Sequence, residues 1–315
     1  MRLRFIKCHG SGNDFPLIDA RALDLSDAQW GQVARALADR AGPVGGDGLL
    51  ALTAGDDTAA FGMRMFNSDG SEAETCLNGL RCVARAGFEA LGLDRATVRL
   101  KTSRAAVARA PDLAPGVWTV TETAGPASLA VADWPLRVAA ERIVAAPVPP
   151  LDPDRAFTAV AIPNPHLVSV VDRIDEAELV RLGTICEAAP DWLPRRANVS
   201  FVEVRGPDRL FVRTFERGVG LTDSCGSAMA ASTYAACLDG HIAFGREVTV
   251  LNKGGLVRAR AEHDAMVTLS GNATWEWEGE ATVDLDHARA GDLAVLRHMD
   301  TEIAAWAAVA DAAAR

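Results

Sequence analysis

The sequence predicts an α+β protein built from two similar, pseudo-symmetric domains that arose by internal duplication. Two observations carry this. The first is a stretch written twice: residues 66–80 read FNSDGSEAETCLNGL and residues 215–230 read FERGVGLTDSCGSAMA. Each leaves an Arg-x-Phe-polar strand end (64–67 and 213–216) and passes through a Gly-bearing loop. Each then reaches one cysteine ten residues after the phenylalanine and continues into an Ala-rich segment of helical character. The second observation is order. Asn13 is answered by Asn164 and Asp47 by Asn198, both 151 positions on, and Cys76 by Cys225, 149 positions on.

The elements follow from local pattern. Residues 3–6 and 16–20 are short apolar runs flanking HGSGNDF, so they form two strands joined by a polar loop that presents Asn13, which is alternatively a plain turn residue. Over 26–40, Trp30, Val33, Ala34, Leu37 and Ala38 keep helical spacing behind Ser26 as N-cap, with an end near Gly42. Gly45, Gly46, Asp47 and Gly48 make a tight turn into a strand at 49–53, and 61–67 is another strand. After Cys76, RCVARAGFEALG has helical period and stops at Gly92, while 98–102 and 117–121 resume strand character.

Pro and Ala crowd the stretch from about 125 to 153, which fits a crossover linker. The domains are therefore expected at 1–125 and 126–280, with 126–153 as the linker. In the second copy, 179–186 and 227–238 are helices, the latter closed by Asp239-Gly240, and 248–251 and 267–270 are strands. The remainder, 281–315, is expected to be an Ala-rich helical extension. From 287 it lacks proline and carries Leu293, Val295, Leu296, Met299, Ile303 and Trp306.

Composition bounds the function. The 315 residues are 49% hydrophobic, enough for a substantial core, and the formal charge of −10 offers no basic footprint for nucleic acid or an anionic membrane. A small-molecule ligand is expected. The beginning, MRLRFIKCHGSGNDF, has no apolar signal region, and no run reaches the ~18 apolar residues of a membrane span, so a soluble cytoplasmic protein is expected. The six cysteines form no C-x-x-C pair, which favours free thiols. Cys76 and Cys82 as metal ligands would lack a matching second pair, so no metal is expected.

The doubled motif has a chemical reading. A cysteine at a helix start sits among unpaired backbone N–H groups, which favour its thiolate and can also hold a carboxylate. Two such units would let one thiol remove an α-proton and the other return it on the opposite face, inverting a stereocentre.

On KCHGSGNDF (7–15), VGGDGLL (44–50), FNSDGSEAETCLNGLRC (66–82), PNPH (163–166), RRANVSF (195–201) and FERGVGLTDSCGSA (215–228), the chain resembles diaminopimelate epimerase. This is a cofactor-independent racemase family, and the resemblance covers roughly residues 3–280. It implies two domains, each a mixed β-rich sheet wrapped around a helix, with the active site in the cleft between them and no cofactor. It implies that Cys76 and Cys225 are the acid/base thiols and that Asn78, Gly226 and Ser227 hold the carboxylate at the reacting centre, with Leu77 offering its backbone N–H. Asn13, Asn67, Asn164, Asn198, Glu216 and Arg217 match the remaining ligand positions, several of which grip the distal end of the substrate. His166 and Glu216 match polar residues that support catalysis. A homodimer is implied too, with Trp277 matching an aromatic at the dimer contact. An exposed Trp277 would suit an interface, and ordinary core packing is its alternative.

A guanidinium among amide side chains suits a second ammonium-carboxylate group. Arg217 is alternatively a surface ion pair, and Asn164 a rigid turn between two prolines. Three residues depart from the family pattern: Leu77 and Ala228 stand where glycine is usual, and Leu221 where glutamate is usual. The expected reaction is epimerisation of LL- to meso-diaminopimelate, in the synthesis of lysine and peptidoglycan precursors. The alternatives are a same-fold racemase of another amino acid and a binding module without catalysis. A pyridoxal-phosphate racemase would need a Schiff-base lysine, and none of Lys7, Lys101 and Lys253 sits in a phosphate cradle.

Overall fold

The computed structural model describes residues 1–134 and 136–313. Pro135, in the expected linker, and residues 314 and 315, at the end of the expected extension, lie outside the described residues. The chain separates into two units, Met1–Glu122 with Ser270–Asp311, and Thr123–Leu269 with Ala312 and Ala313.

The first unit begins β1 (Arg2–Gly10), β2 (Asn13–Asp19), α1 (Asp27–Ala38), β3 (Gly48–Asp56), β4 (Ala59–Asn67), α2 (Leu77–Leu91), β5 (Arg95–Arg99), β6 (Arg104–Ala110) and β7 (Thr119–Ala124). Neighbouring strands β1 to β6 pair in the order antiparallel, parallel, antiparallel, parallel, antiparallel. A parallel pair needs a long crossover, and α1 and α2 supply the two. Helix α1 starts where expected, because Ser26 Oγ accepts from Gln29 N and Gln29 Oε1 accepts from Ser26 N, a reciprocal cap. Its apolar face buries Trp30, Val33 and Leu37 beside Leu49 and Phe66, each such side chain contributing about 1.5–3 kcal/mol by leaving water.

Helix α2 is enclosed instead. It packs on β1 through β6, every residue from Leu77 to Phe88 is buried, and Gly92 at φ 66° ends it in the left-handed region. The enclosure is tight: a Cβ on Gly87 would lie 2.5 Å from the Phe61 ring. The sequence reading assigns no element to 104–110, which forms β6. Its inward Ala105 and Val107 have the two-residue period of a strand, but the run is short and rich in alanine, so the signal is weak.

The second unit repeats the plan with β8 (Ala146–Val148), β9 (Asp152–Ala161), β10 (Pro165–Val170), α3 (Glu176–Glu187), β11 (Asn198–Gly206), β12 (Arg209–Glu216), β13 (Gly220–Thr222), α4 (Gly226–Leu238), β14 (Val248–Asn252), β15 (Gly255–Ala261) and β16 (Val267–Asn272). From β9 through β10, β11, β12 and β14 to β15 the pairing order is again antiparallel, parallel, antiparallel, parallel, antiparallel. Helices α3 and α4 make the same two crossovers, and Asp175 caps α3 by accepting from Ala177 N and Glu178 N. Helix α4 packs on β9 to β12, β14 and β15, with Gly226 to Cys237 all buried. Each unit is thus a mixed sheet around a central helix, as the family resemblance implies.

The expected helical extension over 281–315 is corrected. After β17 (Thr274–Asp284), residues Arg289–His298 form strand β18, antiparallel to β17, and only Asp300–Ala313 is helix, α5. The free edge of β17 outweighs the helical propensity of an Ala- and Leu-bearing run, since each backbone pairing satisfies groups the edge would leave open. Nor does this segment stand apart from the first unit. Glu302 on α5 binds Arg85 on α2 at 2.5 and 2.8 Å, and the buried Trp306 ring lies 5.9 Å from His9. The stretch 270–280, expected in the second domain, also groups with the first unit. Trp277, for which the sequence leaves both exposure at an interface and core packing open, is half-buried against Phe5 with ring centroids 5.3 Å apart, because β17 lays it over the α1 core. Among the described residues, no helix is long and apolar enough to cross a membrane.

Candidate functional site

Both thiols occupy the same place in their repeats. Cys76 is the N-cap of α2 (φ −149°, ψ 106°) and Cys225 the N-cap of α4 (φ −134°, ψ 112°), so each sulfur sits at a helix start whose amides lack intrahelical partners. All six cysteines are thiols rather than disulfide halves. Among the described residues, no group of three or more His, Cys, Asp or Glu is placed to hold a metal ion.

Around the first thiol, Cys76 Sγ accepts from Gly79 N at 3.4 Å and donates to Asn13 Oδ1 at 3.7 Å. Asn78 Nδ2 donates to the same Asn13 oxygen at 3.5 Å. Asn13 reaches this position because Ser11 and Gly12 take positive φ (53° and 81°) in the turn from β1 to β2. Its amide is oriented from behind, where Nδ2 donates to Asp47 Oδ2 at 2.5 Å, so Oδ1 must face Cys76 and Asn78. Asp47 is bound in turn by Arg40 at 2.6 Å. Arg40 and Lys7 both bind Asp14. Burial would raise the Asp14 carboxyl, but these two cations outweigh it and hold it below the usual carboxylate range. Asn67 Nδ2 donates to Ser71 Oγ in its own loop at 3.0 Å.

In the second unit, four expected residues converge. Arg217 Nη2 donates to Asn164 Oδ1 at 3.1 Å, Arg217 N donates to Asn198 Oδ1 at 2.9 Å, and Asn198 Nδ2 lies 3.4 Å from His166 Nε2. Because Asn198 Oδ1 is already taken by a backbone donor, its Nδ2 must donate to His166, whose Nε2 therefore accepts and whose proton sits on Nδ1. That Nδ1 is buried with no hydrogen-bond partner among the described residues. Burial and then the Arg217 guanidinium push His166 down to about 3, so it is neutral.

Cys225 Sγ lies 3.5 Å from Ser227 Oγ, and Glu216, on the strand leading to the loop, accepts from Thr222 Oγ1 at 2.5 Å. A small cavity beside the sulfur is lined by Thr214, Thr222, Ser224, Met229 and Asn252. At Cys225 the pull of the helix start toward the thiolate is outweighed. Burial and the Glu216 carboxylate push the Cys225 thiol well up, against the opposing Ser227 hydroxyl and Ala228 amide. Cys225 therefore rests protonated and ready to give a proton. Alkylation by iodoacetamide needs the thiolate, so the rate at Cys225 in the ligand-free protein should still be climbing with pH above about 9. A plateau by about pH 8 would contradict this.

The structure thus gathers Asn13, Cys76 and Asn78 in one group, Asn164, His166, Asn198 and Arg217 in a second, and Glu216, Cys225 and Ser227 near one another. Gly226 is the first residue of α4, and the Leu77 side chain is buried at the start of α2. Of the departures, Ala228 is buried in α4 and Leu221 is exposed on β13. Sequence reasoning missed Arg40 and Arg81, which orient the first group through Asp47 and Asn78. The available signal for Arg81 was a pair of arginines, Arg81 and Arg85, four apart in a run that is otherwise apolar from Gly79 to Phe88.

The family profile described as Diaminopimelate epimerase matches residues 5–108 and 158–276. The protein named diaminopimelate epimerase in Clostridium acetobutylicum is 39% identical over 292 residues, covering 91% of this chain and 87% of that protein. Its namesake in Listeria monocytogenes serotype 4a is 36% identical over 295 residues, covering 90% of each. Among solved structures, a phenazine biosynthesis protein of the PhzF family from Bacillus anthracis shares the fold with TM-score 0.64 at 13% identity, covering 90% of this chain and all (100%) of that one. A hydroxyproline epimerase from Agrobacterium vitis does so with TM-score 0.62 at 13% identity, covering 90% and 92%.

Proposed function

Because this chain belongs to the diaminopimelate epimerase family, we infer that it is an isomerase interconverting LL- and meso-2,6-diaminopimelate, with Cys76 and Cys225 as the two acid/base thiols and no cofactor. The observation that carries the thiol assignment is their equivalence: each is the N-cap of the buried helix in its repeat. One sulfur, as thiolate, takes the α-proton and leaves the electron pair on the α-carbon, delocalised into the carboxylate. The other, as thiol, delivers its proton to the opposite face, and the two cysteines end with their protonation states exchanged.

The groups assigned to the carboxylate at the reacting centre are Asn78 and the Leu77 amide on α2, and Gly226 and Ser227 on α4. Charge developing on that carboxylate strengthens these contacts as the proton leaves. Arg217, Asn164 and Asn198 hold the distal ammonium-carboxylate end, where the fixed fork of the guanidinium suits a carboxylate, and Asn13 and Asn67 are further substrate contacts. Glu216 and neutral His166 support the second thiol. The protein acts in the cytoplasm as a homodimer, which sedimentation at micromolar concentration would check.

The experiment that tests the substrate is α-proton exchange into deuterated water across a panel of amino acids. Exchange should be fastest with diaminopimelate. Equal or faster exchange with a one-ended amino acid would place the chain among racemases of other substrates.

A further inference from the structure

We propose that Arg81 is a positioning residue for the first thiol site: clamped by Glu122, it fixes the side chain of Asn78 so that its amide N–H is turned toward Asn13, whose oxygen also meets Cys76. The proposal rests on the reading that Asn78 holds the carboxylate at the reacting centre.

Arg81 is wholly buried one turn into α2, and its guanidinium is used on every side. Nη1 donates to Glu122 Oε1 at 2.7 Å, Nε to the Asn272 carbonyl at 3.1 Å, and Nη2 to Asn78 Oδ1 at 2.7 Å and Ser11 Oγ at 3.2 Å. A guanidinium has donors only, so the atom of Asn78 that faces it must be the oxygen. Nδ2 of Asn78 is then forced outward, to Asn13 Oδ1. At the other end of the same chain Asp47, an acceptor only, forces Asn13 to turn its oxygen inward. Arg81 and Asp47 thus set the polarity of the two amides from opposite ends, and neither amide can flip without placing donor against donor or acceptor against acceptor. The oxygen that receives the Cys76 S–H is defined by this arrangement.

The surroundings leave little freedom. A Cβ on Gly10 would lie 2.5 Å from the Asn78 carbonyl oxygen, so β1 lies directly against the start of α2. Ser11 in its left-handed turn supplies the hydroxyl, and Asn272 Oδ1 accepts from Ser11 N at 2.7 Å. A helix needing only a filled core would tolerate apolar residues here, because a buried ion pair is seldom the more stabilising choice. A lysine at position 81 would keep a charge for Glu122 without the planar fork that reaches Asn78, Ser11 and Asn272 together.

A double-mutant cycle on diaminopimelate kcat/KM separates positioning from mere structural support. Arg81→Lys and Asn78→Ala should each lose roughly 10- to 100-fold, and the double variant should lose no more than about twofold beyond Asn78→Ala, since Arg81 acts through that side chain. Losses that multiply in the double variant, or an Arg81→Lys enzyme at the parental rate, would overturn the proposal. If Arg81→Lys does not fold, Glu122→Gln, which keeps shape and one acceptor, takes its place: a loss that disappears in the Asn78→Ala background supports the proposal, and one that persists there overturns it. Parental activity in Asn78→Ala itself would instead refute the carboxylate-holding role on which the proposal rests, a failure distinguishable from the others because that variant leaves Arg81 intact.

Discussion

Alanine in place of either Cys76 or Cys225 is expected to leave a folded protein with epimerase activity reduced by about 10⁴-fold or more. Inversion needs a base on one face of the α-carbon and an acid on the other, and a single sulfur cannot serve both. The folding cost should be small, because neither cysteine residue is fully enclosed and each sulfur makes only weak contacts at its helix start. Circular dichroism unchanged from the parent, beside lost turnover, is the expected pair of results. Serine should rescue little, since an alkoxide forms far less readily than a thiolate. A Cys225→Ala protein that epimerises near the parental rate would remove the second thiol from the mechanism.

Changing Arg217 to methionine should weaken diaminopimelate turnover by about 2–4 kcal/mol, or roughly 30- to 1000-fold in kcat/KM. Methionine keeps much of the bulk but loses the charged fork, and with it the hydrogen bonds to Asn164 and the Arg195 carbonyl. The backbone bond from Arg217 N to Asn198 survives, so the approach to the second thiol is preserved. A short amino acid never reaches a distal clamp, so any residual exchange with alanine should hardly change. Equal losses on both substrates would make Arg217 an organiser of the loop before Cys225 rather than a ligand.

The features legible in the sequence were those with local causes. The cap at Ser26, the stop at Gly92 and the two cysteines at helix starts each depend on a few neighbouring residues, and the duplication could be read from landmark spacing because both copies keep the same crossovers. What was not legible depends on distant partners. Strand β18 exists because β17 has an edge to cover, Trp277 is half-buried because the α1 core lies beneath it, and Arg81 meets Asn272 from 191 positions away. The raised Cys225 thiol belongs to the same class. A helix start favours the thiolate, but how deeply the sulfur is buried and where the Glu216 carboxylate lies are set by the folded chain.

The most direct test of the two-thiol account is where deuterium appears when LL-diaminopimelate is converted in deuterated water and sampled at low conversion. With one thiol taking the proton and another, already exchanged with solvent, delivering its own, the meso product should carry deuterium at the inverted centre while the recovered LL substrate keeps its protium. Protium retained in the product, or deuterium entering both pools at the same rate, would mean that a single group removes and returns the proton, and the account would be wrong.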